Sequence, residues 1–97
     1  MNSEQPGLTD LHRLRDEIEQ VDRDLIVLVA CRVKLARQVG RAKKAAGIPI
    51  LDPSREAQVI RRAGALAREA GLAEEDVREV FWHLIGLSRR AQTEGAA

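Results

Sequence analysis

The stretch LHRLRDEIEQVDRDLIVLVACRVKLARQVGRA, residues 11–42, decides the fold. Leu11, Leu14, Ile18, Val21, Leu25, Leu28, Leu35, Val39 and Ala42 recur at spacings of three and four around position 32, which places them on one face of a single α-helix. Thr9 or Asp10 can cap this helix, Gly40 does not interrupt its pattern, and the break falls at Gly47-Ile48-Pro49. Its expected length is about 35 residues, or roughly 50 Å at 1.5 Å per residue. A compact chain of about 100 residues has a radius of gyration of only about 13 Å, so the apolar stripe needs a partner outside its own chain.

Two shorter helices follow. Asp52-Pro53 supplies a capping side chain and then the residue best suited to a first helical position, and Gly71 closes the element. The expected buried side of this second helix is Val59, Ile60, Ala63, Leu66, Ala67 and Ala70. The third is expected from about Ala73 to Ala91, with Glu74, Glu75 and Asp76 where the helix dipole favours negative charge, and with Arg89 and Arg90 near the other end. Val77, Val80, Phe81, Leu84, Ile85 and Leu87 form its apolar face, and Thr93 to Ala97 reads as a frayed tail. The reading is an all-α, three-helix subunit with a very long first helix, one domain over 8–93, and flexible termini at 1–7 and 94–97.

Composition agrees with helices and narrows the chemistry. The 97 residues are 44% hydrophobic but only 2% aromatic, so the interior must come from Leu, Ile, Val and Ala. Sixteen basic residues against fifteen acidic ones leave a net charge of +1, which names no partner, but thirteen of the sixteen are Arg. Arginine offers a planar fork that grips carboxylates in pairs of hydrogen bonds. Near-balanced charge and the lack of an aromatic stacking platform argue against nucleic acid. Nothing at the N-terminus reads as a signal peptide, and no apolar run reaches the roughly 20 residues of a membrane span. The lone Cys31 is compatible with a reducing compartment, so the expected location is the cytoplasm.

The informative residues are polar ones in apolar positions. Arg32 occupies the helix 1 seam, where an unpaired charge costs several kcal/mol. It could be a registry device or could snorkel to the surface. Lys43, eleven residues on, lies about 16 Å along the axis and about 20° around it, so both side chains can reach one small molecule. Arg15 shares their face but stands 28 residues from Lys43, about 42 Å away, so it can join such a site only from an antiparallel partner chain. In helix 3, Ser88 and Gln92 extend the apolar series, either as an end turning to water or as the wall of a polar cavity. Asp52, Arg55 and Glu56 sit around the start of helix 2, where unpaired N–H groups welcome an oxygen, although a plain capping motif has the same look. Arg62 reads as an outward charge, while His12, His83 and Cys31 read as surface or packing residues.

Taken together, Leu14-Arg15-Asp16-Glu17-Ile18, Arg32 through Lys43, Pro49, Asp52-Pro53-Ser54-Arg55-Glu56, and Ser88 with Gln92 resemble the all-helical chorismate mutases over about residues 8 to 93. The resemblance implies an entwined homodimer of three-helix subunits that needs no cofactor and no metal. It implies that Arg15 of the partner chain and Arg32 bind the two carboxylates of a small substrate. Lys43 would bond to a carboxylate and to the ether oxygen, with Gln92 across that oxygen. Glu56 through its side chain and Asp52 largely through its backbone would hold the ring hydroxyl, with Arg55 and Ser88 completing the wall. Each principal polar position carries the expected residue type; Val33 stands where many members have a second Arg.

The activity so implied is the Claisen rearrangement of chorismate to prephenate, with Lys43, Gln92 and Arg32 as its catalytic residues. Neighbouring readings on the same scaffold are a 4-amino-4-deoxychorismate mutase, an isochorismate pyruvate-lyase and a non-catalytic helical interaction protein. The resemblance also implies a pathway enzyme as a partner, for which the sequence carries no readable docking signal.

Overall fold

The computed structural model describes residues 5–97, so the first residues of the segment expected to be flexible, 1–4, lie outside the described residues. Three helices follow one another: α1 (Pro6–Ala46), α2 (Pro53–Glu69) and α3 (Glu74–Ala96). The chain divides into two compact units, Met1–Cys31 and Arg32–Ala97.

The first unit is the N-terminal part of α1. It begins at Pro6 rather than at Thr9 or Asp10, because the N–H groups of Leu8 and Thr9 already donate to the Gln5 carbonyl. Pro6 fits this first turn, where its missing N–H costs nothing. Ion pairs one turn apart, Arg13 with Glu17 and Arg23 with Glu19, line its polar side. The apolar residues Leu11, Leu14, Ile18, Val21, Leu25 and Leu28 are all exposed in the single chain.

In the second unit, Asp52 caps α2 by accepting the Arg55 N–H at 3.1 Å on Oδ1, and Pro53 follows in the first turn. Both α1 and α2 end in the same motif. Gly47 and Gly71 adopt φ of 69° and 74°, a left-handed conformation that a Cβ would strain. The N–H of Ile48 then reaches the Lys43 carbonyl, and that of Leu72 the Ala67 carbonyl, both at 2.8 Å. Arg68, at the end of α2, binds Glu74 at the start of α3. Arg78 closes on both Glu74 and Glu75 at 2.8 and 2.7 Å.

The core is small and built mostly from alanine-sized groups. Val59, Ile60 and Ile85 form its centre with Phe81 against them, and Ala36, Ala63, Ala67 and Ala91 are buried. Leu66 and Val80, expected inside, are exposed, and Ala70 is the exposed C-cap of α2. Leu66 and Val80 lie at the margin of their stripes, roughly a quarter turn from the buried centre at 100° per residue. Val77, Leu84 and Leu87 are half-buried.

Helix α3 is longer than the sequence suggests: it continues through Ala96 instead of fraying after Ala91. Arg37 of α1 binds Glu94 at 3.1 Å, and the backbones approach so closely that a Cβ on Gly95 would strike the Arg37 carbonyl. Gly40 makes the equivalent approach to the Gln92 carbonyl. These two glycines let the end of α1 lie directly on the end of α3.

Candidate active site

The side of α1 from Arg32 to Lys43, the first turns of α2 and the C-terminal half of α3 enclose a cavity of about 510 Å3. Helix α1 contributes Arg32 and Lys43 across an apolar floor of Leu35, Ala36 and Val39. Asp52, Arg55 and Glu56 come from the start of α2, Arg62 from its middle, and Ser88 and Gln92 from α3. Seven of the eight residues singled out in the sequence thus share one wall system. Arg15, the eighth, belongs to the N-terminal unit, is exposed, and is not among the lining residues.

The geometry resolves the ambiguous residues. The Arg32 guanidinium donates to the hydroxyl of Ser88 and lies 3.5 Å from the Leu84 carbonyl, so it points into the bundle instead of snorkelling outward. Ser88 is buried and Gln92 half-buried; neither belongs to a fraying end. Lys43 Nζ donates to the Ile50 carbonyl and to Gln92 Oε1, each at 2.8 Å. One ammonium proton is left over, and since the amide oxygen of Gln92 is occupied, Gln92 offers the cavity its NH2, a donor. Gly47 and Pro49 set up the Lys43–Ile50 bond by turning the chain back just after α1 ends.

Two further residues at or beside the cavity are not singled out by the sequence. Arg62, though exposed, lines the cavity and is more than an outward charge. It lies two turns after Arg55, a spacing that puts both on one side of α2 and could have revealed it. Arg89 is the second: its Nε and Nη2 donate to the two oxygens of Glu56 at 3.0 and 2.7 Å. No sequence signal joins residues 56 and 89, which meet only when α2 packs on α3.

The cavity is electropositive. Four cationic side chains face it against two carboxylates, of which Asp52 serves as a helix cap and Glu56 is held by Arg89. Burial, and then the neighbouring charges of Arg62 and Arg55, lower the pKa of Arg32 from its ordinary value. The bond to Glu56 holds the Arg89 guanidinium above its ordinary value. An anion placed near Arg32 would relieve the repulsion among three guanidinium groups, so the site is suited to a carboxylate ligand. Among the described residues, no three His, Cys, Asp or Glu side chains come together in a way that could hold a metal ion. His12, His83 and Cys31 are exposed, and among the described residues no helix is long and apolar enough to cross a membrane.

Three helices and a cationic cavity lined by Arg32, Lys43, Glu56, Ser88 and Gln92 define a small all-helical protein whose site is suited to a compact anion. The chain belongs to the type II chorismate mutase family, which it matches over residues 14–93. It is 32% identical over 84 residues to a chorismate mutase of Methanocaldococcus jannaschii, covering 87% of this chain and 85% of that one. It is 50% identical over 59 residues to a 3-dehydroquinate dehydratase of Pyrobaculum aerophilum, where the shared stretch is 61% of this chain and only 20% of the larger protein. The chain thus spans about a fifth of that relative's length. Among solved structures, a conserved hypothetical protein from Pyrococcus furiosus superposes with a TM-score of 0.72 at 34% identity, over 87% of this chain and 96% of its own.

Proposed function

We propose that the chain is a chorismate mutase whose site is completed by a second copy of itself. The observation that carries this reading is the pairing of Lys43 with Gln92 on the wall of a cavity that also holds Arg32. The reaction is unimolecular: a carbon–oxygen bond breaks as a carbon–carbon bond forms, and no proton must move. What a protein can contribute is selection of the compact conformer and stabilisation of charge on the departing ether oxygen.

The cavity residues match those two tasks. Arg32, held by Ser88, and Arg15 of a second copy grip the two carboxylates of the flexible diacid, with Arg55 completing the wall. Bringing the carboxylates to fixed points removes the freedom of the enolpyruvyl arm before the reaction begins. The remaining proton of Lys43 and the NH2 of Gln92 donate to the ether oxygen. Both donors are oriented beforehand by their bond to each other and by Ile50, so little reorganisation is needed as negative charge grows. Glu56 and the backbone of Asp52 receive the ring hydroxyl.

The homodimer is supported by what α1 leaves uncovered. Ile18 is 60% exposed, Leu25 52% and Leu28 65% in the single chain. A contiguous apolar face of this kind on a soluble protein marks an interaction surface, and Arg15 lies within it. An antiparallel second copy would cover the face and deliver its Arg15. A reducing cytoplasm suits the exposed Cys31 thiol.

Incubating the purified protein separately with chorismate, isochorismate and 4-amino-4-deoxychorismate, and identifying the products, tests the proposal. Prephenate formed from chorismate faster than either analogue reacts is expected. Release of pyruvate from isochorismate as the main activity, or no reaction with any of the three, would overturn it.

A further inference from the structure

We propose that Arg89 is a positioning residue that sets substrate choice, making the Glu56 subsite select an uncharged hydroxyl over an ammonium on the substrate ring. The inference rests on the mutase reading for the identity of the group that meets Glu56. Its own basis is the geometry of the pair. Arg89 covers Glu56 with both arms of its fork, at 3.0 and 2.7 Å, from a position on α3 that does not line the cavity. The Glu56 side chain is 18% exposed and that of Arg89 43%, so the carboxylate faces the ligand while the guanidinium backs it from the solvent side.

Each oxygen of a carboxylate has two acceptor directions, so each Glu56 oxygen can take one bond from Arg89 and still accept another from a ligand O–H. The charge is different. Paired with Arg89, Glu56 presents an acceptor without net negative charge. A hydroxyl needs only the acceptor. An amine on the same ring carbon is protonated near neutral pH, as aliphatic amines are. It would meet a neutralised carboxylate in a cavity that already holds Arg32, Arg55 and Arg62. Desolvating that ammonium without a free counter-charge is unfavourable.

The test compares kcat/KM for chorismate and for 4-amino-4-deoxychorismate in the wild-type protein and in Arg89→Gln, Arg89→Met and Arg89→Lys. Wild type should favour the hydroxyl compound. In both uncharged variants the ratio should move toward the amine by about tenfold or more, the order expected when one charge-assisted contact is gained. Arg89→Lys retains the charge and should keep the ratio within about threefold of wild type. A merely structural role for Arg89 would lower both values in parallel and leave the ratio fixed in Arg89→Gln and Arg89→Met, which would overturn the inference.

If the wild-type protein converts neither compound, the mutase reading fails by itself. The discrimination is then read from the two dissociation constants by calorimetry. A ratio that still shifts in Arg89→Gln upholds the inference, and one that does not ends it.

Discussion

The ammonium of Lys43 lies 2.8 Å from Oε1 of Gln92, so the two donors assigned to the ether oxygen orient each other across the α1–α3 contact. Replacing either removes one donor and unfixes the other. Lys43→Ala and Gln92→Ala should each lower kcat by about 10²–10³-fold, the range for losing one preorganised donor. Arg61→Ala, an exposed change outside the cavity, should stay near wild type. Steady-state rates of the three purified variants check this. Gln92 carries no titrating proton, so activity should persist from neutral into mildly alkaline pH, which a pH–rate profile checks.

The same contact depends on Gly40, whose Cα faces the backbone of Gln92 with no room for a methyl group. Gly40→Ala should force α1 and α3 apart and cost about 1–3 kcal/mol of stability, the usual penalty of overpacking. Urea titration measures the loss. Because the shift also moves Gln92 away from Lys43, the folded variant should lose kcat at temperatures where it is still fully native.

Arg62 lines the cavity without a hydrogen bond to any described residue, and its charge bears on Arg32. A cation so placed attracts a dianion before contact but gains nothing specific at the ether oxygen. Arg62→Ala should therefore raise KM several-fold while kcat stays within about twofold, the pattern of uniform binding loss. The dependence of kcat/KM on salt should weaken in the same variant.

Much of this site was readable in the chain because a periodic background makes an exception visible. Arg32 stands out only because nine apolar residues share its stripe, and Ser88 and Gln92 only because they prolong the series of Phe81 and Ile85. Arg62 and Arg89 stayed hidden for the opposite reason: both sit among other charges, Arg61 beside one and Arg90 beside the other, where a solvated face is the ordinary reading. The tail from Thr93 reads as frayed because chain ends are poorly ordered unless tied down, whereas Gly95 admits the Arg37 backbone and Glu94 binds Arg37. Contacts between helices decide such cases, and periodicity within one helix carries no trace of them.

Stability toward acid has a defined sign at the α2–α3 corner. The bond from Arg68, with a further contribution from Arg78, holds the Glu74 carboxyl below its ordinary pKa. A carboxylate lowered in the folded state stabilises the fold above the ordinary range of about 4.3 and loses that effect as pH falls through its folded value. The difference in urea midpoint between wild type and Glu74→Gln should accordingly be largest near neutral pH and shrink below about pH 4. The Arg68 guanidinium is solvent-facing and the Glu74 carboxylate only half-buried, so the difference should be modest and should diminish with salt.

A cavity completed by Arg15 of a second copy can be rebuilt by mixing two disabled variants. Arg15→Ala and Lys43→Ala, each nearly inactive alone, are unfolded together and refolded at equal concentration. Random pairing makes half of the dimers mixed, and each mixed dimer holds one site with both Lys43 and the partner's Arg15 intact. Recovery of about one quarter of wild-type activity is expected from that count. Activity no higher than the average of the two variants would contradict a shared site.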